Sequence, residues 1–573
     1  MNVVDLLRQK SVKVPWKKYY KKEELKFKVE DISIYEMFKR SALNNMNYPA
    51  VNYYGRVFSY KDFLRRIDRA ALSFSSIGVK RGDVVTICMP NTPEGLISFY
   101  AVSKIGAISN MIHPLSGEKE IKEYLNSTKS KYLVMVDFCY EKVKNIINET
   151  NVCKVVVAPV NNSMFPHMHF GYKIKTWKMK KARRSKLYTY WNDFIIRSYF
   201  ESENPISCKA EDPAVILHSG GTTGKPKGIV LSNGNFNALA LQARVIFKDL
   251  KPRDKVLGIM PIFHGFGLGV SFHIPFGLGC EVILVPQFNA KRFDELLEKY
   301  RPNVICGVPT LYEALTNTKN KKLDLSMLKY VISGGDSLSS NLSERINGFL
   351  LSHGSKVKVS QGYGMTEALA AVSLSFGDAY RDGSIGIPFP GNYIKIVKPG
   401  TQEEVKYGED GEICVAGPTV MLGYLDNEKE TNEMLQIHKD GMVWLHTGDI
   451  GMMDSDGILY YKQRLKRLII SSGYNIYPSH VEEVIEGHPS VLKCSVIGIP
   501  HPYKVEVPKA FIVLKNDYNP LTVKASIKEY CKKNLASYAI PKEFEFRKSL
   551  PKTLIGKVDF KKLREEAVKD EEE

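Results

Sequence analysis

The stretch AVILHSGGTTGKPKGIVLSN, residues 214–233, places glycine, hydroxyl and lysine residues between two apolar strands. Residues 214–217 form the first strand, and Ser219, Gly220, Gly221, Thr222, Thr223, Gly224, Lys225, Pro226, Lys227 and Gly228 follow before the second strand at 229–231. Glycines let the backbone wrap closely round a phosphate, hydroxyls and lysines supply donors and charge, and exposed amides form an anion-binding nest. The segment reads as a polyphosphate loop. It is not of the Walker type, which would need glycine at 219 and Ser or Thr at 226, where this chain has Ser219 and Pro226. Pro226 also blocks the immediate helix start on which that loop depends.

On either side of this loop, helical periods alternate with short apolar strands. DFLRRIDRAALSFSSIG and PEGLISFYAVSKIGA read as helices, DVVTICMP and KYLVMVD as strands, and CEVILVP, NVICGVP and LKYVISGG as further buried strands. Such alternation predicts an α/β fold around a mostly parallel, doubly wound sheet. Near Arg464 the texture changes: EICVAGPTVMLGYL and GILYYK before it read as short β segments, and RLIISSGYNIYPSHVEEVIEGHP after it runs strand, turn, helix. A large domain over residues 1–463, a junction at 464–467 and a small α+β domain over 468–573 are expected.

The chain has 573 residues, 44% apolar and 25% charged, the composition of a globular protein rather than a disordered or fibrous one. Its formal charge of +19 favours polyanionic partners without choosing among nucleic acid, anionic lipid and phosphate-rich small molecules. Nine dispersed cysteines with no C-x-x-C pair argue against a zinc cluster or a disulfide framework and fit a reducing compartment. The start, MNVVDLLRQKSVKVPWKK, lacks the apolar stretch of a secretory signal, so a cytoplasmic protein is expected. The uncharged stretch 256–280 is long enough to span a bilayer, but its six glycines and two prolines favour a buried segment near a ligand. Residues 173–186, KIKTWKMKKARRSK, hold eight basic residues and read as a solvated insertion loop, with peripheral contact to an anionic membrane as the alternative. The tail KDEEE, residues 569–573, is expected to be disordered.

The loop matches the signature [ST]-[SG]-G-[ST]-T-G-x-P-K-G, and PIFHGFG (261–267), SGGDSL (333–338), QGYGMTE (361–367), TGD (447–449), QRLKRLIISSGYNIYP (463–478) and PKTLIGK (551–557) follow in order. In these motifs, from about residue 35 to 563, the chain resembles the adenylate-forming superfamily of acyl-CoA synthetases, adenylation domains and luciferases. The resemblance implies doubly wound mixed sheets with a smaller β subdomain, and a C-terminal domain that rotates about a hinge. It also implies two chemical steps: a carboxylate attacks the α-phosphate of ATP to give an acyl-adenylate and pyrophosphate, then a thiol, usually that of coenzyme A, displaces AMP. Because an anion must approach an anion, catalysis of this kind rests on positioning, fixed positive charge and metal.

Carried over by motif, the resemblance implies that Ser219, Gly220, Gly221, Thr222, Thr223, Gly224, Lys225 and Lys227 hold the β- and γ-phosphates. Gly334, Gly335 and Asp336 would border the adenine, with a helix N-cap as the alternative for Asp336. In the stretch Gly362, Tyr363, Gly364, Thr366 and Glu367, Tyr363 would lie against the adenine or pack in the core, Thr366 would bond phosphate, and Glu367 would hold Mg²⁺. Asp449 would accept from both ribose hydroxyls, with Arg464 completing the contact. Lys557 would reach the α-phosphate and carboxylate in the first step, and His264 would line the acyl carboxylate or be a core histidine. Lys466 stands at the hinge, and Ser472 and Gly473 would approach the pantetheine. The chain departs from the usual pattern at Gln463, where glycine is common, and at His480, which replaces a carboxylate.

GFGLGVSFHIPFGLG after His264 and ALAAVSLSF after Glu367 are apolar, with no fixed Asp or Arg to receive an amino-acid or dicarboxylate substrate. The expected reaction is therefore ATP-, Mg²⁺- and coenzyme-A-dependent activation of an apolar monocarboxylate, a medium- or long-chain fatty acid. An enzyme loading an acyl or aryl acid onto a carrier protein is the first alternative. A non-catalytic polyanion- or membrane-binding protein is the second, and no specific nucleic acid is expected.

Overall fold

The computed structural model describes residues 13–196, 207–219, 227–471, 474–501, 503, 505–515, 518–552 and 558–572. Two large sheets dominate. The first orders its strands Ile387–Pro388, Ser373–Leu374, Val359–Tyr363, Tyr330–Ser333, Val304–Gly307, Lys255–Gly258, Glu281–Leu284, Pro49–Tyr53 and Arg56–Ser59, parallel from Val359–Tyr363 to Pro49–Tyr53 and antiparallel at both ends. The second orders Gly423–Tyr424, Lys227–Ser232, Pro213–Ser219, Ile108–Met111, Val84–Cys88, Tyr132–Met135, Lys154–Val157 and Tyr188–Tyr190, parallel from Pro213–Ser219 onward. The expected α/β fold is thus present as two mixed, doubly wound sheets.

Local chemistry explains the elements. Tyr132–Met135 reads YLVM and every residue is buried, as a parallel strand covered on both faces requires. The helix Pro93–Ile105 starts with Thr92 accepting from the Gly95 N–H and with Pro93 in its first turn, and stops at Gly106, whose φ of 72° suits glycine. Twelve of its thirteen residues are buried, so it fills the interior. The helix Tyr60–Ser76, capped by Ser59, buries only one face and lies outside it.

An antiparallel sheet of Tyr393–Val397, Gly411–Ala416, Val443–Met453 and Leu435–Ile437, with Leu459–Arg464 on Val443–Met453, forms the smaller β unit. After the 3-10 turn Leu465–Arg467 comes a last sheet of Tyr474–Ile476, Ile469–Ser471, Val505–Leu514 and Val491–His501, joined by Glu543–Phe546 and packed with the helices Pro478–Glu486 and Pro520–Asn534. All nine cysteines are free thiols. No helix among the described residues is long and apolar enough to cross a membrane.

Two sequence expectations need correction. The helix Phe560–Glu572 runs through the acidic tail expected to be disordered, because Leu563 and Ala567, four apart, are wholly buried and carry the helical register onward. The basic run is not all loop: its first residues close the helix Pro166–Lys175, begun by Pro166 in its first turn.

Candidate nucleotide and acyl site

Pro213–Ser219 and Lys227–Ser232 are antiparallel neighbours with Ser219 opposite Lys227, so the glycine-rich stretch connects two strands of a hairpin. Gly220, Gly221, Thr222, Thr223, Gly224 and Lys225 lie outside the described residues, as do Ser472, Gly473 and Lys557. Lys227 Nζ forms a 2.8 Å ion pair with Glu430 and sits 5.3 Å from the centre of the Tyr424 ring. The Tyr424 hydroxyl in turn donates to Glu367 Oε1 at 3.0 Å, and the Met421 N–H donates to the Glu367 carbonyl. Burial and the Glu367 carboxylate push the Tyr424 phenol upward, so it remains a donor. One Glu367 oxygen is thereby fixed in direction, and the carboxylate is a hard oxygen ligand of the kind Mg²⁺ takes. Residues 421–424 and Glu430 carry no recognised motif, and sequence reasoning missed Tyr424 and Glu430.

Gly334, Gly335 and Asp336 follow the strand Tyr330–Ser333 at its carboxyl end, where open α/β sheets bind ligands. A Cβ on Gly334 would meet the Gly362 carbonyl and the Phe266 ring, each at 3.5 Å, so these three stretches meet. Gly335 has φ +79°. Asp336 is not a helix cap: Ser339 caps Ser340–Ser352, and Asp336 Oδ1 accepts from the Ser337 N–H. Gly364 passes so close to the Ala370 carbonyl that a Cβ would stand 1.9 Å from its oxygen. This packing shapes the turn that presents Thr366, which is half-buried, and Glu367, which is buried.

Tyr363 ends Val359–Tyr363 and its hydroxyl donates to Asp449 Oδ2 at 2.7 Å. Arg464 Nε lies 3.0 Å from Asp449 Oδ1, the two residues being register partners on neighbouring strands. Burial, with Asp449 adding to it, pushes the Tyr363 phenol well above its ordinary value, so it donates and does not ionise. The ring packs in the core, as one expectation had it, while its hydroxyl holds the buried carboxylate from one side and Arg464 holds it from the other.

Behind Asp449 runs a buried polar chain that sequence reasoning also missed. The Gly448 N–H donates to Glu412 Oε1 at 3.0 Å, His446 Nδ1 lies 3.0 Å from Glu412 Oε2, and His446 Nε2 lies 2.9 Å from His438 Nε2. With His446 Nδ1–H assigned as donor to Glu412, a neutral His446 accepts from His438. Burial, reinforced by Lys395, pushes His438 down to about 4. Only the adjacency of His446 to the TGD motif could have pointed to it.

His264 is half-buried and its Nδ1 accepts from the Phe266 N–H at 3.2 Å. The π-helical segment Phe266–His273 begins there, and all eight of its residues are buried. A Cβ on Gly265 would touch Ala370 at 3.3 Å and Leu217 at 3.4 Å, so this segment packs against both the Glu367 turn and the first hairpin strand. Lys466 is exposed in the turn Leu465–Arg467. The neighbouring Arg467 is paired with Glu482 at 2.6 Å. Of the two departures, His480 is exposed, and Gln463 is wholly buried with neither amide atom hydrogen-bonded among the described residues.

A model of the AMP-binding enzyme family matches residues 38–425, and one of the AMP-binding enzyme C-terminal domain matches residues 480–557. The chain belongs to the AMP-binding enzymes. Among its relatives, this AMP-binding enzyme is 32% identical to the long-chain-fatty-acid-CoA ligase of Bacillus subtilis over 527 residues, 90% of this chain and 91% of the relative. It is also 32% identical to a probable 4-coumarate-CoA ligase of Dictyostelium discoideum over 87% of this chain and 88% of that one. Its fold is shared by ATP-bound MatB from Rhodopseudomonas palustris, with a TM-score of 0.80, 24% identity and coverage of 93% of this chain and 99% of that one.

Proposed function

We propose that this AMP-binding enzyme is an AMP-forming acid-thiol ligase that converts an apolar carboxylic acid, a medium- or long-chain fatty acid, into its coenzyme A thioester. The observation that carries the proposal is the junction at Gly265: the nucleotide-facing Glu367 turn packs directly against a wholly buried, uncharged segment, Phe266–His273. A carboxylate beside a phosphate thus has apolar surroundings for its tail, and burying each methylene contributes about 0.8 kcal/mol. The long-chain-fatty-acid-CoA ligase relative in Bacillus subtilis supports the same reading.

In the first step the acid's oxygen forms a bond to the α-phosphorus of ATP and the bond to the pyrophosphate oxygen breaks. Asp449, fixed by Tyr363 and Arg464, accepts from the ribose hydroxyls and so orients the nucleotide. Lys227 and the hairpin amides receive the outer phosphates, and Lys557 supplies positive charge at the α-phosphate. Glu367 would hold Mg²⁺, which when bound would supply charge against the leaving pyrophosphate. In the second step the coenzyme A sulfur attacks the acyl carbon and AMP leaves. The boundary of the small domain falls at 464–467, and rotation about Lys466 withdraws Lys557 and brings Ser472 and Gly473 to the thiol.

Release of AMP and pyrophosphate is measured over a panel of aliphatic acids of increasing length and of aromatic acids, with and without coenzyme A, and acyl products are identified by mass. Thioester formed from aliphatic acids is the expected result. Thioester from aromatic acids alone would make the substrate an aryl acid, as the name of the 4-coumarate-CoA ligase relative suggests. Acyl-adenylate without thioester would move the acceptor to a carrier protein, and no turnover with any acid would sink the proposal.

A further inference from the structure

We infer that the exposed face of the helix Pro166–Lys175, with the turn after it, is a docking surface for an anionic lipid bilayer. None of the ten helical residues is buried. Phe170, Ile174 and Trp177 are 66%, 57% and 72% exposed; Phe170 and Ile174, four apart, share one side of the helix, and Trp177 follows in the turn, its N–H bonded to the Ile174 carbonyl. The other side is tied down: the Tyr172 hydroxyl donates to Asp137, the Asn161 side chain donates to the His169 carbonyl, and Lys180 pairs with Glu141. The apolar side chains are therefore held outward by a fixed backbone.

Cations surround them. Among the described residues, no carboxylate forms an ion pair with Lys173, Lys175, Lys178, Lys181, Arg183 or Lys186. Lys178 Nζ lies 5.3 Å from the Trp177 ring. A nucleic acid would use the cations but has no demand for Phe170 and Ile174, and an apolar protein groove has no demand for so many unpaired cations. A bilayer interface takes both: aromatic and aliphatic side chains sink to the acyl boundary while lysines meet anionic headgroups. Asn162 and Ser163, just before the helix, donate to Glu94 in the first turn of Pro93–Ile105, which ties the base of this surface to the interior.

The test does not depend on the ligase reading. Trp16, Trp191 and Trp444 are 3%, 4% and 0% exposed, so Trp177 is the tryptophan whose emission a bilayer would change. The full chain is mixed with vesicles of phosphatidylcholine plus phosphatidylglycerol, and separately with phosphatidylcholine alone. Expected are co-sedimentation and a blue shift with the anionic vesicles, at least about tenfold weaker binding to the neutral ones, and weakening by added salt. Trp177→Phe should keep sedimenting but lose the blue shift. The combined Phe170→Ala, Ile174→Ala and Trp177→Ala variant, whose thermal unfolding checks its fold, should lose binding about tenfold or more. Absence of sedimentation with anionic vesicles, or equal binding by the triple variant, would overturn the inference. So would tight binding of an oligonucleotide by a chain that ignores vesicles.

Discussion

Tyr363 and Asp449, 86 residues apart, are joined by a 2.7 Å hydrogen bond in which the phenol donates to the carboxylate. The contact ties the end of a parallel strand in one large sheet to a long strand of the small antiparallel sheet. It sets the direction of a carboxylate whose side chain is 2% exposed.

Tyr363→Phe keeps the ring and deletes the donor. A hydrogen bond to a charged group is worth about 1.5–3 kcal/mol, so KM for ATP should rise roughly tenfold or more. ATP–pyrophosphate exchange reads this directly. An unchanged KM would mean that Arg464 alone orients Asp449.

Glu430 is ion-paired with Lys227 and, on the proposed function, would compete with phosphate for it. The pair is partly exposed, 23% and 26%, so its worth is modest, up to about 1 kcal/mol. Glu430→Gln should therefore lower KM for ATP by about two- to fivefold at low salt, with the advantage shrinking as salt screens the pair. A raised KM would instead make Glu430 a holder of the lysine in its working position.

His446→Leu leaves the buried Glu412 without its imidazole partner. Losing a buried hydrogen bond to a carboxylate costs about 1.5–3 kcal/mol, so the variant should unfold at clearly lower urea concentration. Nucleotide affinity should fall with it, since Glu412 also receives the Gly448 N–H beside Asp449. His438→Gln, one step further back in the chain, should do less of both.

Acid should destabilise the fold through buried imidazoles. Burial pushes His218 down to about 4 and His273 down to about 3, below the ordinary value of 6.5. Such groups bind more protons unfolded than folded, so stability is full above about pH 6.5 and falls as pH drops toward the folded values, by about 1.4 kcal/mol per group per unit. Unfolding followed from pH 7.5 downward should show that slope, and His273→Gln should flatten it. A slope unchanged in the variant would place the acid sensitivity elsewhere.

The alternation of periods made both doubly wound sheets legible, because buried parallel strands such as Tyr132–Met135 are short and wholly apolar. The hairpin around the phosphate loop was legible for the same reason: strand, glycine cluster and strand stand side by side in the chain. Tyr424 with Glu367 and Lys227 with Glu430 were not, since those partners meet only through strand pairing and the turn after Gly423–Tyr424. The acidic tail misled because charge density argues for disorder, while two buried positions four residues apart, Leu563 and Ala567, suffice to continue a helix. The helix beginning at Pro166 was hidden by the lysines that follow it.

The strands flanking the phosphate loop are antiparallel partners, and the helix Asn233–Ile246 starts only after the second of them. A loop that opens a helix borrows about half a positive charge from the helix terminus. Strand dipoles largely cancel, so this one has no such reservoir. On the proposed function, a triphosphate bound there would be held by discrete cations and amides rather than by a helix terminus.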